Sequence, residues 1–382
     1  MEFIADNLTF SSDYPGGSAG SIERLGRDWY HLNLRQDSWF WFHIKITGAA
    51  GRRIIFQVRD RTPEMEKVCN YWVRRTKPDA EPVTHHPHYS CDGWNWVKME
   101  HSERDYHEPD LIRFSQRFTE DTVWLCYGIP YPVERWEKYA ARFGGRPDFA
   151  ARSIGQSRLG EEVRLITITE PAVPAEEKQT GYLLCREDQA ETTGAFALEG
   201  ALDYLMAGEQ KHLREKFIIH LAPLVSIDGI LCGSPFSGGY GYLTGRWQDE
   251  NPPAEIAVLR SFIEKTTPPG SRIAFAGKLH GGVNWDPTDY YNRREETRAL
   301  PHLFPLNEKT ARATCKYLSA DSLAMTLDRV GLRPHGRFER YIADNFDCDT
   351  IFATEIYPRD IAEAREQGKG IFRGLFELLA GE

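Results

Sequence analysis

Residues 181–205 read Gly-Tyr-Leu-Leu-Cys-Arg-Glu-Asp-Gln-Ala-Glu-Thr-Thr-Gly-Ala-Phe-Ala-Leu-Glu-Gly-Ala-Leu-Asp-Tyr-Leu. The short apolar run Tyr182–Cys185 predicts a buried strand. From Thr193 onward Phe196, Leu198, Leu202 and Leu205 fall at helical spacing, with Thr192 or Thr193 suited to cap that helix. Between strand and helix stand two carboxylates three residues apart, Asp188 and Glu191. A strand-to-helix junction is a common address for a ligand site in an α/β protein. The same two acids would equally suit a helix N-terminus as partners of its dipole. Spacing alone leaves both readings open.

Working outward, residues after 150 alternate between strand and helix patterns. Strands are expected at Val163–Ile168, Tyr182–Cys185, Phe217–Leu224, Ile273–Leu279 and Thr350–Ala353. Helices are expected from Thr193, at Ala254–Lys265, at Ala311–Val330 and at Phe372–Leu379, with a glycine-rich loop over Gly233–Gly245. The charged stretch Asp360–Lys369 reads as a solvated helix and loop. This order predicts an α/β domain with a largely parallel or mixed sheet flanked by helices. Three of its strands end at a candidate ligand or acid: Asp188 with Glu191, His280, and Glu355. If those ends share one edge of the sheet, Asp188, Glu191 and His280 can hold a metal ion, with Glu355 beside an open coordination position. Such a centre activates water while the spare carboxylate moves protons. Taken singly, His280 also fits a strand-end histidine bonded to backbone, and Glu355 a surface acid. His220, on an apolar strand, reads as a core histidine.

The first 130 residues read differently. Trp39–Ile46 and Arg53–Val58 are aromatic and β-branched, separated by a hairpin-like break, Thr-Gly-Ala-Ala-Gly. Tyr71–Arg74, Trp94–Met99, Ile112–Phe118 and Val123–Tyr127 are further strand candidates, and short strands between turns predict a β-sandwich. His85, His86 and His88 read as exposed histidines of a polar loop, because no acidic or cysteine partner stands at usable spacing. Val133–Phe143 has the pattern of a short amphipathic helix, and Gly144-Gly145-Arg146-Pro147 marks a loop. The expected division is an all-β sandwich over residues 1–135 and an α/β catalytic domain over 136–382.

Composition narrows the function classes. The 382 residues carry a net charge of −9, which argues against the basic face that non-specific nucleic-acid binding needs. The seven cysteines are odd in number, scattered and without a CxxC pair, so neither a disulfide framework nor a cysteine zinc site is expected. No charged-then-apolar leader and no run of membrane-spanning length is present, and the cytoplasm is the expected compartment, with no membrane partner.

With these residues in place the sequence resembles the zinc carboxypeptidase superfamily, and its cytosolic carboxypeptidase branch in particular. Ala190-Glu191-Thr192-Thr193-Gly194 through Gly200 resembles the segment bearing the family's His-x-x-Glu motif. Ile227-Asp228-Gly229-Ile230 resembles its Asn-Pro-Asp-Gly turn, Leu279-His280-Gly281 its later histidine ligand, and Thr354-Glu355-Ile356 its catalytic glutamate. Phe40–Val58, Cys126–Tyr131, Ser153–Ser157 and Arg164–Ile168 match the branch's β-sandwich, its exit and the entry to its catalytic domain. The resemblance implies one zinc ion on Asp188, Glu191 and His280, with Glu355 as general base. It also marks departures. The family's first histidine ligand falls on Asp188, which brings negative charge where a neutral imidazole is expected. Arg246 falls at or next to the arginine that holds the substrate's terminal carboxylate, and an upstream arginine falls near Phe236.

Three functions follow. The first is a zinc-dependent metallocarboxypeptidase-like hydrolase acting on a C-terminal peptide or amide bond, with Arg246 gripping a substrate carboxylate. The second is a metal-dependent amidohydrolase for a small or modified acyl-amino acid, for which the glycine-rich loop and the Asn284-Trp285-Asp286 and Asp289-Tyr290-Tyr291 stretches would shape the pocket. The third is an inactive carboxypeptidase-like binding protein.

Overall fold

The computed structural model describes residues 1–34, 41–59, 87–99, 101–105, 108–234, 243–268, 271–281, 301–332 and 336–381. The predicted strand at Tyr71–Arg74 lies outside them, as do His85, His86, Phe236 and the stretches Asn284–Asp286 and Asp289–Tyr291. The chain divides into two units, the first built on Met1–Pro132 together with 230–234, the second beginning at Val133.

In the first unit the strands are β1 (Glu2–Ala5), β2 (Leu8–Ser11), β3 (Ser21–Gly26), β4 (Trp29–Asn33), β5 (His43–Thr47), β6 (Arg53–Arg59), β7 (His88–Ser90), β8 (Val97–Lys98), β9 (His101–Asp105), β10 (Glu108–Arg117) and β11 (Val123–Cys126). They form one sheet in the order β1-β2-β5-β11-β7-β8 and another in the order β3-β4-β6-β10-β9. On β6, Ile54, Phe56 and Val58 are buried at every second position, the pattern of a strand with one dry face. Phe10, Ile44 and Ile46 from the first sheet share one core with Tyr30, Phe56 and Phe114 from the second. Two sequence readings are corrected here. The break at 47–51 is not a hairpin: β5 pairs with β2 and β11, while β6 pairs with β4 and β10. His88 is not exposed; it is buried on β7, its Nδ1 3.3 Å from the Tyr127 carbonyl.

The second unit carries a mixed seven-stranded sheet. Its strands are β12 (Phe149–Gln156), β13 (Glu162–Ile168), β14 (Gln179–Cys185), β15 (Phe217–Ala222), β16 (Ile273–Leu279), β17 (His302–Leu303) and β18 (Ile351–Glu355), in the order β12-β13-β15-β14-β16-β18-β17. The central four, β15, β14, β16 and β18, run parallel. Helices cover both faces. On one, His220 stacks on Tyr182 and meets Phe262 of the helix Ala254–Thr266. Phe217, three residues before His220, points the other way and meets Phe376 of the terminal helix. Burial pushes the His220 imidazole down to about 4, and its Nδ1 lies 3.1 Å from the Thr167 hydroxyl, as a core histidine requires.

Two helical expectations change. Ala311–Val330 is not one helix but part of two, Glu308–Thr314 and Ala320–Leu327, because Ser319 breaks the run and caps the second by accepting from the Ser322 amide. The terminal helix spans Ile361–Ala380, so most of Asp360–Lys369 is helical and Ala364, Gln367 and Gly368 are buried. It packs against the helix Thr192–Met206 with backbone nearly touching backbone. A Cβ at Gly200 would stand 1.9 Å from the Arg365 carbonyl oxygen. Gly200→Ala should therefore destabilise the protein by about 1–3 kcal/mol, the usual cost of overpacking. A urea melt with an unchanged midpoint would contradict this.

Candidate metal centre

Because β14, β16 and β18 are adjacent and parallel, their carboxyl ends open on one edge of the sheet, with Cys185 beside Leu279 and Lys278 beside Ala353. The residues singled out from the sequence lie at that edge: Asp188 and Glu191 after β14, His280 directly after β16, and Glu355 as the last residue of β18.

Local chemistry turns the chain there. Arg186 takes a left-handed backbone, φ 57°, and its guanidinium donates to the Gln189 carbonyl, folding 186–189 into a buried bend. The carbonyls of Cys185 and Arg186 accept from the amides of Val225 and Ser226, at 3.1 and 2.8 Å, which fixes where the bend begins. The helix opens at Thr192, with Glu191 itself in the capping position and making no side-chain bond to the helix amides. The expected threonine cap is corrected accordingly. Thr193 instead donates to the Ile356 carbonyl at 2.8 Å, and Gly194 sits so close to β16 that a Cβ would lie 2.6 Å from the Leu279 oxygen. With no cap bond to make, the Glu191 carboxylate turns to His280. Its Oε1 lies 2.5 Å from His280 Nε2.

His280 is held from behind by Thr354. The His280 amide donates to the Thr354 hydroxyl at 2.8 Å, and that hydroxyl donates to the His280 carbonyl at 2.7 Å. Glu355 Oε1 lies 3.2 Å from His280 Nδ1, an ion-pair separation without hydrogen-bond alignment. Glu355 Oε2 accepts from the Tyr357 hydroxyl at 2.9 Å. Asp188 Oδ1 accepts from the Leu243 amide at 3.2 Å. One donor atom each from Asp188, Glu191 and His280 falls within 4.8 Å of the others.

The electrostatics of this cluster are those of a site short of positive charge. Burial raises the Asp188 carboxyl, and the neighbouring Glu187 charge adds to the rise. Burial also lifts Glu191 to about 7, with the Asp188 charge adding and His280 opposing. Burial disfavours a charged His280, yet Glu191 and Glu355 overcome it and carry the imidazole up to about 10. Two oxygens and one nitrogen within 4.8 Å of one another, in a buried site rich in carboxylates, are a donor set that suits a divalent cation. Nitrogen and oxygen donors are a set that zinc accepts.

A pH dependence follows for the protein stripped of metal. Folded Glu191 keeps its proton to about 7 against 4.5 for an ordinary glutamate, and folded His280 keeps its own to about 10 against 6.5. Both groups bind more protons folded than unfolded, so stability falls as pH rises. The Glu191 contribution is lost between 4.5 and about 7, and that of His280 between 6.5 and about 10. In chelator, Tm should drop between about pH 6 and 9, and excess zinc should flatten the decline. A Tm that rises over this range in chelator would contradict it.

Comparison with known proteins places the chain's sequence and fold among carboxypeptidases. Cytosolic carboxypeptidase 6 of Mus musculus is 24% identical over 302 residues, covering 72% of this chain and 53% of the relative. The Homo sapiens protein of the same name is 23% identical, with 72% and 57% covered. Among solved structures, a metallo-carboxypeptidase from Burkholderia cenocepacia matches with a TM-score of 0.74 at 16% identity, covering 98% of this chain and 99% of that one. The chain is similar in sequence to cytosolic carboxypeptidases and shares the metallo-carboxypeptidase fold. A metallo-carboxypeptidase from Pseudomonas aeruginosa, solved with (2-guanidinoethylmercapto)succinic acid, also matches at a TM-score of 0.74, with 97% and 99% covered. No family model matches the chain. The chain spans about half the length of these two mammalian relatives.

Within this metallo-carboxypeptidase fold, Arg246 lies on the turn following Leu243, where its Nε donates to Asp249. Asp228, in the segment resembling the family's Asn-Pro-Asp-Gly turn, is buried. It accepts from the Ser157 hydroxyl at 2.5 Å and the Leu159 amide at 3.0 Å, anchoring that loop. Sequence reasoning passed over Glu187, Lys278, Thr354 and Tyr357. Lys278 had left a signal: a single lysine in the otherwise apolar strand Ile273–Leu279 needs a buried partner. That partner is Glu187, 2.7 Å away.

Proposed function

We propose that the chain is a zinc-dependent metallocarboxypeptidase that hydrolyses a C-terminal peptide or amide bond. The observation that supports this reading is the convergence of Asp188, Glu191 and His280 within 4.8 Å, with Glu355 3.2 Å from His280. Asp188, Glu191 and His280 would hold one zinc ion. When bound, the ion supplies Lewis acidity toward water and the substrate carbonyl. Glu355 takes the proton of the attacking water and delivers it to the leaving amine. Tyr357 donates to Glu355 Oε2 at 2.9 Å, and Glu355 Oε1 lies 3.2 Å from His280 Nδ1. Arg246 grips the substrate's terminal carboxylate with its guanidinium, exchanging Asp249 for the substrate. In this reading the two sheets of the first unit are a β-sandwich domain over 1–135, the catalytic domain is 136–382, and the protein works in the cytoplasm on peptides.

The Arg246–Asp249 pair favours one further reading, an amidohydrolase for a small or modified acyl-amino acid, since the proposed carboxylate anchor already has a partner. The test is a panel of free-acid peptides, C-terminally amidated peptides and acyl-amino acids, offered to zinc-supplemented protein. A carboxypeptidase releases the last residue from the free acids, loses this in chelator and regains it with zinc. Arg246→Ala should then raise KM by roughly 10-fold or more at nearly constant kcat, the loss of a charge-assisted contact. Equal cleavage of amidated and free-acid peptides would remove the carboxypeptidase reading, and cleavage of acyl-amino acids alone would favour the second.

A further inference from the structure

Next to the ligand cluster, on the bend after β14 and on β16, lies a buried ion pair that the proposed reaction does not use. Glu187 and Lys278 are both almost fully buried, with Lys278 Nζ 2.7 Å from Glu187 Oε2. Glu187 also accepts from the Thr244 hydroxyl at 3.0 Å and from the Trp247 indole N–H. Lys278 lies 3.4 Å from the Thr244 hydroxyl and 4.0 Å from the buried Glu339. Glu187 precedes Asp188 directly, and Lys278 stands two residues before His280. Thr244 follows Leu243, whose amide bonds Asp188 Oδ1 at 3.2 Å. One carboxylate thus ties together the bend carrying two candidate ligands, the strand carrying the third, and the turn that orients Asp188. A buried charge pair is a poor way to gain stability over apolar packing. Its geometry is a good way to fix the register of three segments.

We infer that Glu187 and Lys278, with Trp247, are positioning residues of the metal centre: they set the direction of Asp188 and His280 without touching the ion. This rests on the metal reading above. It differs from a simple charge effect in sign. Lys278 is a cation near a cation site, so on Coulombic grounds alone its removal should tighten metal binding. As a positioning residue, its removal should weaken it, in the 10- to 100-fold range, roughly, that outer-shell partners of metal ligands command.

The test uses the full chain, loaded with Zn²⁺ in competition with a chelator and separately with Co²⁺ for its visible absorption spectrum. Lys278→Met should weaken Zn²⁺ binding by about 10-fold or more and alter the Co²⁺ spectrum. Trp247→Phe removes one N–H donor without changing charge and keeps the ring that packs on Phe338 and Tyr341. It should fold, shift the Co²⁺ spectrum and weaken Zn²⁺ binding, and it carries the test where Lys278→Met fails to fold. Tighter Zn²⁺ binding by Lys278→Met, or a folded Trp247→Phe with parental affinity and spectrum, overturns the inference alone. A parent protein that binds neither ion overturns both the inference and the metal reading beneath it.

Discussion

Glu355→Gln should bind zinc as the parent does and lose about 10³-fold in kcat, within the range assigned to a positioned general base. The substitution preserves shape and keeps an oxygen able to accept from the Tyr357 hydroxyl, so the end of β18 should stay in place. What disappears is the basic oxygen 3.2 Å from His280. Because the lost interaction belongs to the transition state, kcat and kcat/KM should fall together with KM little changed. Steady-state kinetics alongside metal content checks this. Retention of activity within tenfold would remove Glu355 from the chemistry. Loss of metal together with activity would make it a ligand instead.

His280→Ala should have the largest effect on metal content. It removes the one nitrogen donor and leaves Asp188, Glu191 and Glu355 without the imidazole they flank. Zinc affinity should fall by more than about 100-fold, beyond the upper end of what an outer-shell partner costs. The metal-free variant should also lose the neutral-pH stabilisation that a charged His280 gains from Glu191 and Glu355. Elemental analysis after dialysis against zinc, with a chelator competition, measures the first effect, and a thermal melt in chelator at about pH 7 measures the second. One equivalent of zinc retained through dialysis would place the ion elsewhere.

Much of the carboxyl edge of the sheet was legible because it depends on periodicity. Tyr182–Cys185 and Ile273–Leu279 are apolar runs bounded by polar residues, as buried parallel strands should be, and the second appears with those bounds. Once β14, β16 and β18 are neighbours and parallel, the meeting of Asp188, Glu191, His280 and Glu355 follows from strand direction. The bend itself was not legible. Arg186 with a positive φ has no composition signal, and of the threonines that look like caps Thr193 is recruited to Ile356, just past β18, while Thr192 is buried in the core. The first four strands were missed because each is four to six residues long and contributes few inward residues. Their partners lie on other strands, so alternation over so short a window is weak. The terminal helix was cut short because Gly368 and Gly370 lower helix propensity, yet burial against neighbouring chain is what selects glycine at such positions. The Glu187–Lys278 pair joins residues 91 apart, a distance no local pattern spans.

In the proposed function Asp188, with Glu191 and His280, holds one zinc ion at the carboxyl edge of the sheet. Anomalous diffraction from zinc-loaded crystals, collected on both sides of the zinc absorption edge, tests it most directly. One peak per chain is expected, bonded to Asp188, Glu191 and His280 together, with Glu355 beside it. A fully loaded crystal whose peak avoids Asp188, or shows none between these three side chains, would contradict it.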